Sequence, residues 1–285
     1  MTVEALGVEF GGPAHRGILQ LHSGAVNGTE PPLLQTDVPG PRSRALADRL
    51  AQVESRNVTC LAPLPIFWER ARGANVWDVD GNRFVDLTAA FGVAAAGHAH
   101  ERVVAAVAGQ AETLLHGMGD VHPSKVKVEL LEKLIALFPG GEEARAVLGS
   151  SGSDAVETAH TTARLATGRA GVIAFDGAYH GLAFGALDAT ARPMFREDFA
   201  ARLPRATSFA RFGDLDDVER AARECTQPVG AVIVEPIQGR GGERIPAEGF
   251  LRGLRERCDR EGWLLVADEV YTGFGRTGRW FACDH

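Results

Sequence analysis

Lysine is nearly missing from this sequence. Of its 30 basic residues only three are lysine, leaving 27 arginines, and Lys125, Lys127 and Lys133 fall within nine residues of one another. No lysine follows a glycine-rich turn, so the phosphate loop G-x-x-x-x-G-K-[ST] of nucleotide triphosphatases is excluded. The four cysteines (Cys60, Cys225, Cys258 and Cys283) show no C-x-x-C spacing, which removes the usual zinc and redox-pair patterns and fits a reducing cytoplasm. No window approaches 18 apolar residues, and the N-terminal MTVEALGVEFGGPAHRG lacks both a basic start and a continuous apolar core. A cytoplasmic protein without a membrane span is expected. The net charge of −7 gives no footprint for nucleic acid or an anionic membrane. There is no internal repeat and no low-complexity tract.

What is present is an apolar fraction of 45% and a charged fraction of 24% over 285 residues, enough for one large or two ordinary globular domains. Residues 1–40, rich in Gly and Pro, read as an irregular arm. Pro41 then marks a helix start, with Ala45, Leu46, Leu50 and Val53 as its stripe. NVWDVDGNRFVDLT predicts a hairpin with a two-residue turn at Asp80-Gly81. Helices are expected over 99–115 and 124–138, the second with Val128, Leu131, Leu134, Ile135 and Phe138 as its buried face. From about residue 144 four apolar runs, ARAVLG, GVIAFD, VGAVIVEP and WLLVADEV, alternate with helical stretches. Before the last run, Phe250, Leu251, Leu254 and Cys258 mark a helix that Gly262 closes. Continuous apolar strands separated by helices predict a mostly parallel α/β sheet covered on both faces.

Such sheets bind ligands beyond the carboxyl ends of their strands, and four motifs fall there. In LGSSGSDAVE (148–157) a strand gives way to a Gly/Ser turn, and Ser153 or Asp154 opens a helix. Its free N–H groups suit an anion, although an ordinary capped helix explains the same pattern. FDGAYHG presents Tyr179 and His180, an aromatic able to stack on a planar ligand or a purely structural loop pair. VIVEPIQGRGG ends a strand on Glu235, and LLVADEV ends one on Asp268; each acid alone also reads as a cap or a surface partner. His98 and His100 in GHAH lack a third ligand and read as a turn rather than a metal site.

Taken in order, GANVWDVDGNRFVDLTAAFGVAAAGHAH, SSGSDAVETAHTTARLATGR, FDGAYHG, VEPIQG and ADEVYTGFGRTGRW resemble the class III aminotransferases, from about residue 40 to the end. The resemblance implies a fold-type-I large domain, pyridoxal 5'-phosphate as cofactor, and a homodimer. It places Asp268 against the pyridine nitrogen, where a carboxylate favours the protonated, electron-accepting ring. At about 4 Å and an effective dielectric near 20 such a pair is worth roughly 4 kcal/mol. Gly152 and Ser153 would cradle the phosphate, Tyr179 would stack on the ring, and Tyr271 takes a position where many members carry a Gln that contacts the phenolic oxygen. Gln238 receives no assigned role.

Two further departures are Arg240, where ornithine and 4-aminobutyrate enzymes carry Glu, and the lysine. The family's Schiff-base lysine lies roughly thirty residues after the Asp-Glu motif, and no lysine follows Lys133 here. The expectation is a chain truncated before that lysine and the C-terminal small domain, with 1–90 as arm and small-domain segment and 91–285 as a partial cofactor-binding domain. The implied reaction moves an amino group from an amine or amino acid, of the ω-amino type, to a 2-oxo acid, with this chain an inactive fragment of the enzyme. An amino-acid racemase of the same fold, or a non-catalytic relative, remains open.

Overall fold

The hairpin expected around Asp80-Gly81 forms, with a wider turn. In the computed structural model, which describes residues 28–55, 58–141 and 143–285, strands β1 (Trp68–Arg72), β2 (Asn75–Asp78) and β3 (Arg83–Val85) make a three-stranded antiparallel sheet in that order. The link from β2 to β3 is four residues, 79–82, not two. The Asp78 carboxylate draws it together by accepting from the N–H groups of Asp80 (3.0 Å) and Asn82 (2.8 Å), and Gly81 takes the positive φ of 87° that the turn requires.

The freed Asp80 reaches instead to helix α1 (Pro41–Val53), whose N-cap residue Gly40 has no side chain to offer. Asp80 accepts from the N–H groups of Arg42 (2.7 Å) and Ser43 (2.9 Å) and from the Ser43 hydroxyl (2.6 Å). Burial pulls its pKa up, but these bonds outweigh that and hold it below the ordinary value. A Cβ on Gly40 would lie 2.3 Å from the Asp80 carboxyl carbon, so the glycine is needed for the approach. Of the arm expected over 1–40, residues 1–27 lie outside the described residues. Residues 28–40 are irregular, with one bridge from Leu33 to Arg83.

Helices α2 (Glu101–Thr113) and α3 (Lys125–Leu137) lie inside the expected spans, but neither has a buried residue, and Val128 and Phe138 are about half exposed. Here the sequence expectation fails: periodicity fixes the helix, whereas burial also requires a covering surface. In the GHAH turn, His98 pairs through Nε2 with Asp86 at 2.8 Å.

The described residues divide into two compact units between Ala136 and Leu137. The second is an α/β layer structure. Strands β4 (Gly171–Phe175), β5 (Thr207–Ala210), β6 (Val229–Val234) and β7 (Leu264–Ala267) form a fully parallel sheet in the order β5-β4-β6-β7. Alternate residues serve opposite faces. Ile173, Phe175, Val232 and Val234 join one core with Val218, Ala221, Phe250, Leu254 and Cys258, from α7 (Leu215–Glu224) and α8 (Phe250–Glu261). Val172, Ala174 and Ile233 join the other with Val156, Ala186 and Ala189, from α4 (Gly152–Thr167) and α5 (Phe184–Ala189). Every residue of β4 and β6 is buried, which is why both read as unbroken apolar runs.

Gly262, at φ 64°, ends α8 as expected, its N–H bonding to Cys258 O. By contrast, the run 144–149 forms no strand, and Val147 and Leu148 are exposed. An apolar run becomes a strand only where its backbone pairs with a neighbour, and among the described residues this run makes no ladder with either edge strand, β5 or β7. Conversely, β5 and α7 carry no expectation above. The marker for α7 is Asp214, whose carboxylate caps it by accepting from the N–H groups of Asp216 and Asp217 at 3.0 Å each.

Candidate active site

Three parallel strands end on polar residues that the sheet brings side by side. β7 delivers Asp268, β6 delivers Glu235, and the loop after β4 returns Tyr179 and His180 across both. Asp268 Oδ2 accepts from His180 Nδ1 at 2.7 Å; the His180 side chain is fully buried and that of Asp268 is 5% exposed. The backbone keeps the acid in place: Asp268 N–H continues the ladder to Val234 O (2.8 Å), and Oδ1 accepts from Val270 N–H (3.1 Å). The His180 N–H donates to Thr190 Oγ1 (2.9 Å), so the ring is carried on a braced loop.

Glu235 holds two turns together by accepting from Tyr179 N–H (3.2 Å) and Gly239 N–H (3.3 Å). Burial foremost raises its pKa to about 7, and neighbouring Asp268 acts in the same sense; His180 and the two N–H groups oppose the rise. Gln238 donates from Nε2 to Asp176 O (2.8 Å), while its buried Oε1 has no hydrogen-bond partner. Gln238 closes against Gly177, where a Cβ would meet Oε1 at 3.0 Å.

The N-terminus of α4 borders this group. Its cap is Ser151, accepting from Asp154 N–H at 3.1 Å, not Ser153 or Asp154 as the sequence suggested. Gly152 and Ser153 are thereby the first helical residues, whose N–H groups the helix cannot use internally. Ser153 Oγ accepts from Ala183 N–H (2.9 Å), which leaves the hydroxyl hydrogen to donate elsewhere. Gly181, with φ 126°, passes so near that a Cβ there would lie 2.6 Å from Ser153 Oγ. Asp154 turns back to Ser150 N–H (2.9 Å).

Two rings stand at the rim, and they are the only tyrosines of the chain. Tyr179, half-buried, lies edge to Phe195 with centroids 5.5 Å apart, and the Arg240 guanidinium sits 4.3 Å over its face. Tyr271 packs on Gly239, where a Cβ would approach its ring at 2.7 Å. A separate depression of about 320 Å³, lined by Arg196, Leu203, Arg205 and Phe209 beside β5, contains no acid. The convergent polar groups lie at the strand ends instead.

The five residues singled out from the sequence, Gly152, Ser153, Tyr179, Asp268 and Tyr271, thus all belong to one unit, on α4 and on the loops after β4 and β7. Sequence reasoning missed that His180 is the partner of Asp268. A contact spanning 88 positions leaves no local signature.

Fold and site together define a parallel α/β protein with a buried acid and a helix N-terminus at its strand ends. The chain belongs to the aminotransferase class-III family, whose description matches residues 58–285. It is 40% identical over 233 residues to the acetylornithine aminotransferase of Methanopyrus kandleri, covering 82% of this chain and 58% of that one. It is 40% identical over 273 residues to a 4-aminobutyrate aminotransferase of Mycobacterium tuberculosis, with 88% and 60% covered. Among solved structures, an ornithine aminotransferase of Toxoplasma gondii with partial occupancy of PLP at its active site superposes with a TM-score of 0.74. It is 28% identical and covers 85% of this chain and 57% of that one. The chain therefore spans somewhat over half the length of these relatives. The family match and these solved transaminases give the fold-type-I assignment, with which the parallel sheet covered by helices on both faces agrees.

Proposed function

We propose that this chain forms the cofactor-binding body of a pyridoxal 5'-phosphate-dependent transaminase. The enzyme moves an amino group from an amine or amino acid, of the ω-amino type, to a 2-oxo acid. The observation that carries this reading is the buried Asp268–His180 pair at the end of β7. A carboxylate costly to bury is held there by a ring and one backbone N–H, next to a helix N-terminus with spare N–H donors, which offers an acceptor to a pyridinium and donors to a phosphate. Bound pyridoxal phosphate supplies an electron sink.

The chain's own residues divide the work of holding it. Asp268 faces the ring nitrogen and favours its protonated form. Gly152 N–H, Ser153 N–H and the Ser153 hydroxyl bind the phosphate, Tyr179 covers the ring, and Tyr271 reaches the phenolic oxygen. In this reading residues 1–90 are the arm and small-domain segment and 91–285 the cofactor-binding domain. The unit that carries these residues contains no lysine of its own. In the chain as it stands Lys127 donates to Gly119 O at 2.7 Å and Lys125 pairs with Glu129. A polypeptide of the relatives' length carries the anchoring lysine beyond residue 285, and this 285-residue span alone is inactive. The working form is a cytoplasmic homodimer, in keeping with four free cysteines and an exposed apolar surface.

Replacing Asp268 by Asn in the full-length polypeptide tests the assignment. An amide still accepts from His180 but brings no charge to the ring, so the fold and the cofactor content are kept. The transamination rate falls roughly a hundredfold or more, as loss of a pair worth several kcal/mol requires. Turnover near wild type in a folded, cofactor-loaded variant would show that Asp268 does not serve the ring.

A further inference from the structure

The turn after β6 holds a cation at the rim of the site. Residues 238–244 close on themselves: Gln238 and Arg244 exchange backbone hydrogen bonds of 3.0 and 3.1 Å, and the N–H groups of Gly242 and Glu243 return to Gly239 O at 3.1 and 3.3 Å. The Glu235 carboxylate then joins this turn to the loop after β4, since it accepts from both Gly239 N–H (3.3 Å) and Tyr179 N–H (3.2 Å). Arg240 follows Gly239 directly, so its backbone is fixed relative to the backbone of Tyr179.

The side chain is placed as well, although it is exposed. Its guanidinium carbon lies 4.3 Å from the centroid of the Tyr179 ring and 5.9 Å from that of Phe195, and those two rings pack edge to face. Tyr271 stands on the other side of the turn, where a Cβ on Gly239 would meet its ring at 2.7 Å. Arg240 is therefore an arginine set among aromatic rings at the mouth of the site. A ring engages the face of a guanidinium, whereas the five N–H donors lie in its plane, more than any one partner uses. A carboxylate fits two of them at once, in parallel. With the turn and the ring already in place, little has to be ordered when such an anion arrives. The acid bonded to the turn, Glu235, has its pKa raised to about 7, chiefly by burial, so near neutral pH it offsets only part of the arginine's charge.

We propose that Arg240 is a specificity-determining residue, which receives a carboxylate at the end of the amino donor remote from the reacting amine. Amino acids of the ω type are then preferred to amines and diamines of the same length. The proposal rests on the transaminase reading and deepens it, because that reading alone does not choose between an amine and an amino acid. Its test is steady-state kinetics of the full-length, cofactor-loaded polypeptide with 5-aminopentanoate, pentylamine and 1,5-diaminopentane, whose far ends are an anion, a methyl group and a cation. The wild type is expected to show the lowest KM for 5-aminopentanoate. Arg240→Met keeps a long stem against Tyr179 and removes the charge. Its KM for 5-aminopentanoate should rise roughly tenfold to a hundredfold with kcat nearly held, while pentylamine is handled as before. Arg240→Lys, a cation without the planar fork, should recover part of the loss, and Arg240→Glu should turn the preference toward the diamine.

A Met variant that loses equally on all three donors, or in kcat alone, overturns the proposal, because that is what a disturbed Tyr179 loop would do. A wild type that treats 5-aminopentanoate and pentylamine alike overturns it too, and this comparison decides if the Met variant does not fold. In either case measured transamination leaves the broader reading standing. A loaded wild type that transaminates no amino donor removes that reading and the proposal together.

Discussion

At Glu235 burial, helped by neighbouring Asp268, outweighs partners that favour the charged carboxylate. Its pKa is raised from 4.5 to about 7, with burial as the main cause. The native state therefore holds a proton that the unfolded chain has released between about pH 4.5 and about 7. Stability falls as pH rises through that window, and above it the cost is fully present, roughly 3 kcal/mol at 1.4 kcal/mol per unit. Glu235→Gln removes this slope at the expense of one acceptor, worth about 1 kcal/mol. Urea unfolding from mildly acidic to mildly basic pH should show the wild type losing stability relative to a flatter Gln variant. Parallel curves for the two proteins would place the proton elsewhere. Asp86 works in the opposite sense. Its pKa lies near 2 because bonds from His98, Thr88 and Ala90 outweigh burial, so its contribution of about 2 kcal/mol is present above the unfolded value of 3.8 and lost below it.

Elements here are started by side chains that do not always belong to the expected residue. Ser151 rather than Ser153 caps α4, and this difference frees Ser153 to face the site. Ser151→Ala should cost about 1 kcal/mol of unfolding free energy, the worth of a lost N-cap, measured by denaturant titration; an unchanged midpoint would mean that the first turn is held by other contacts. The same distinction explains what was legible in the sequence. β4 and β6 were readable because burial on both faces writes an unbroken apolar run, and α8 because burial on one face writes a 3.6-residue stripe; β7 carries an apolar run although its residues are only partly buried. The strand-end acids were readable because they interrupt such runs. The run 144–149 was misread, since its apolar pattern says nothing about whether an edge is available. The four-residue hairpin loop was missed because Asp80 is drawn to α1, 37 positions back at Ser43. His180 was opaque for a related reason: its partner Asp268 lies on another element.

For the molecule as a whole, apolar surface is left at one margin of the second unit. β7 lies at the edge of its sheet, and Val147, Val270 and Phe274 are more than half exposed. Open strand edges beside apolar side chains recruit further chains, so the isolated 285-residue chain should associate as its concentration rises. Light scattering during size-exclusion chromatography checks this, and a monodisperse monomer throughout would contradict it. The strand order adds a consequence in time. β4 is the first strand of the sheet to leave the ribosome but sits inside it, between β5 and β6, and the outer β7 is made last. His180 is thus synthesised long before Asp268, 88 positions downstream, and a nascent chain must carry the loop after β4 without its acid until the final strand arrives. A pause or early stop in translation between residues 234 and 268 leaves a largely built sheet with an unfinished site, so chaperone demand should peak late in synthesis.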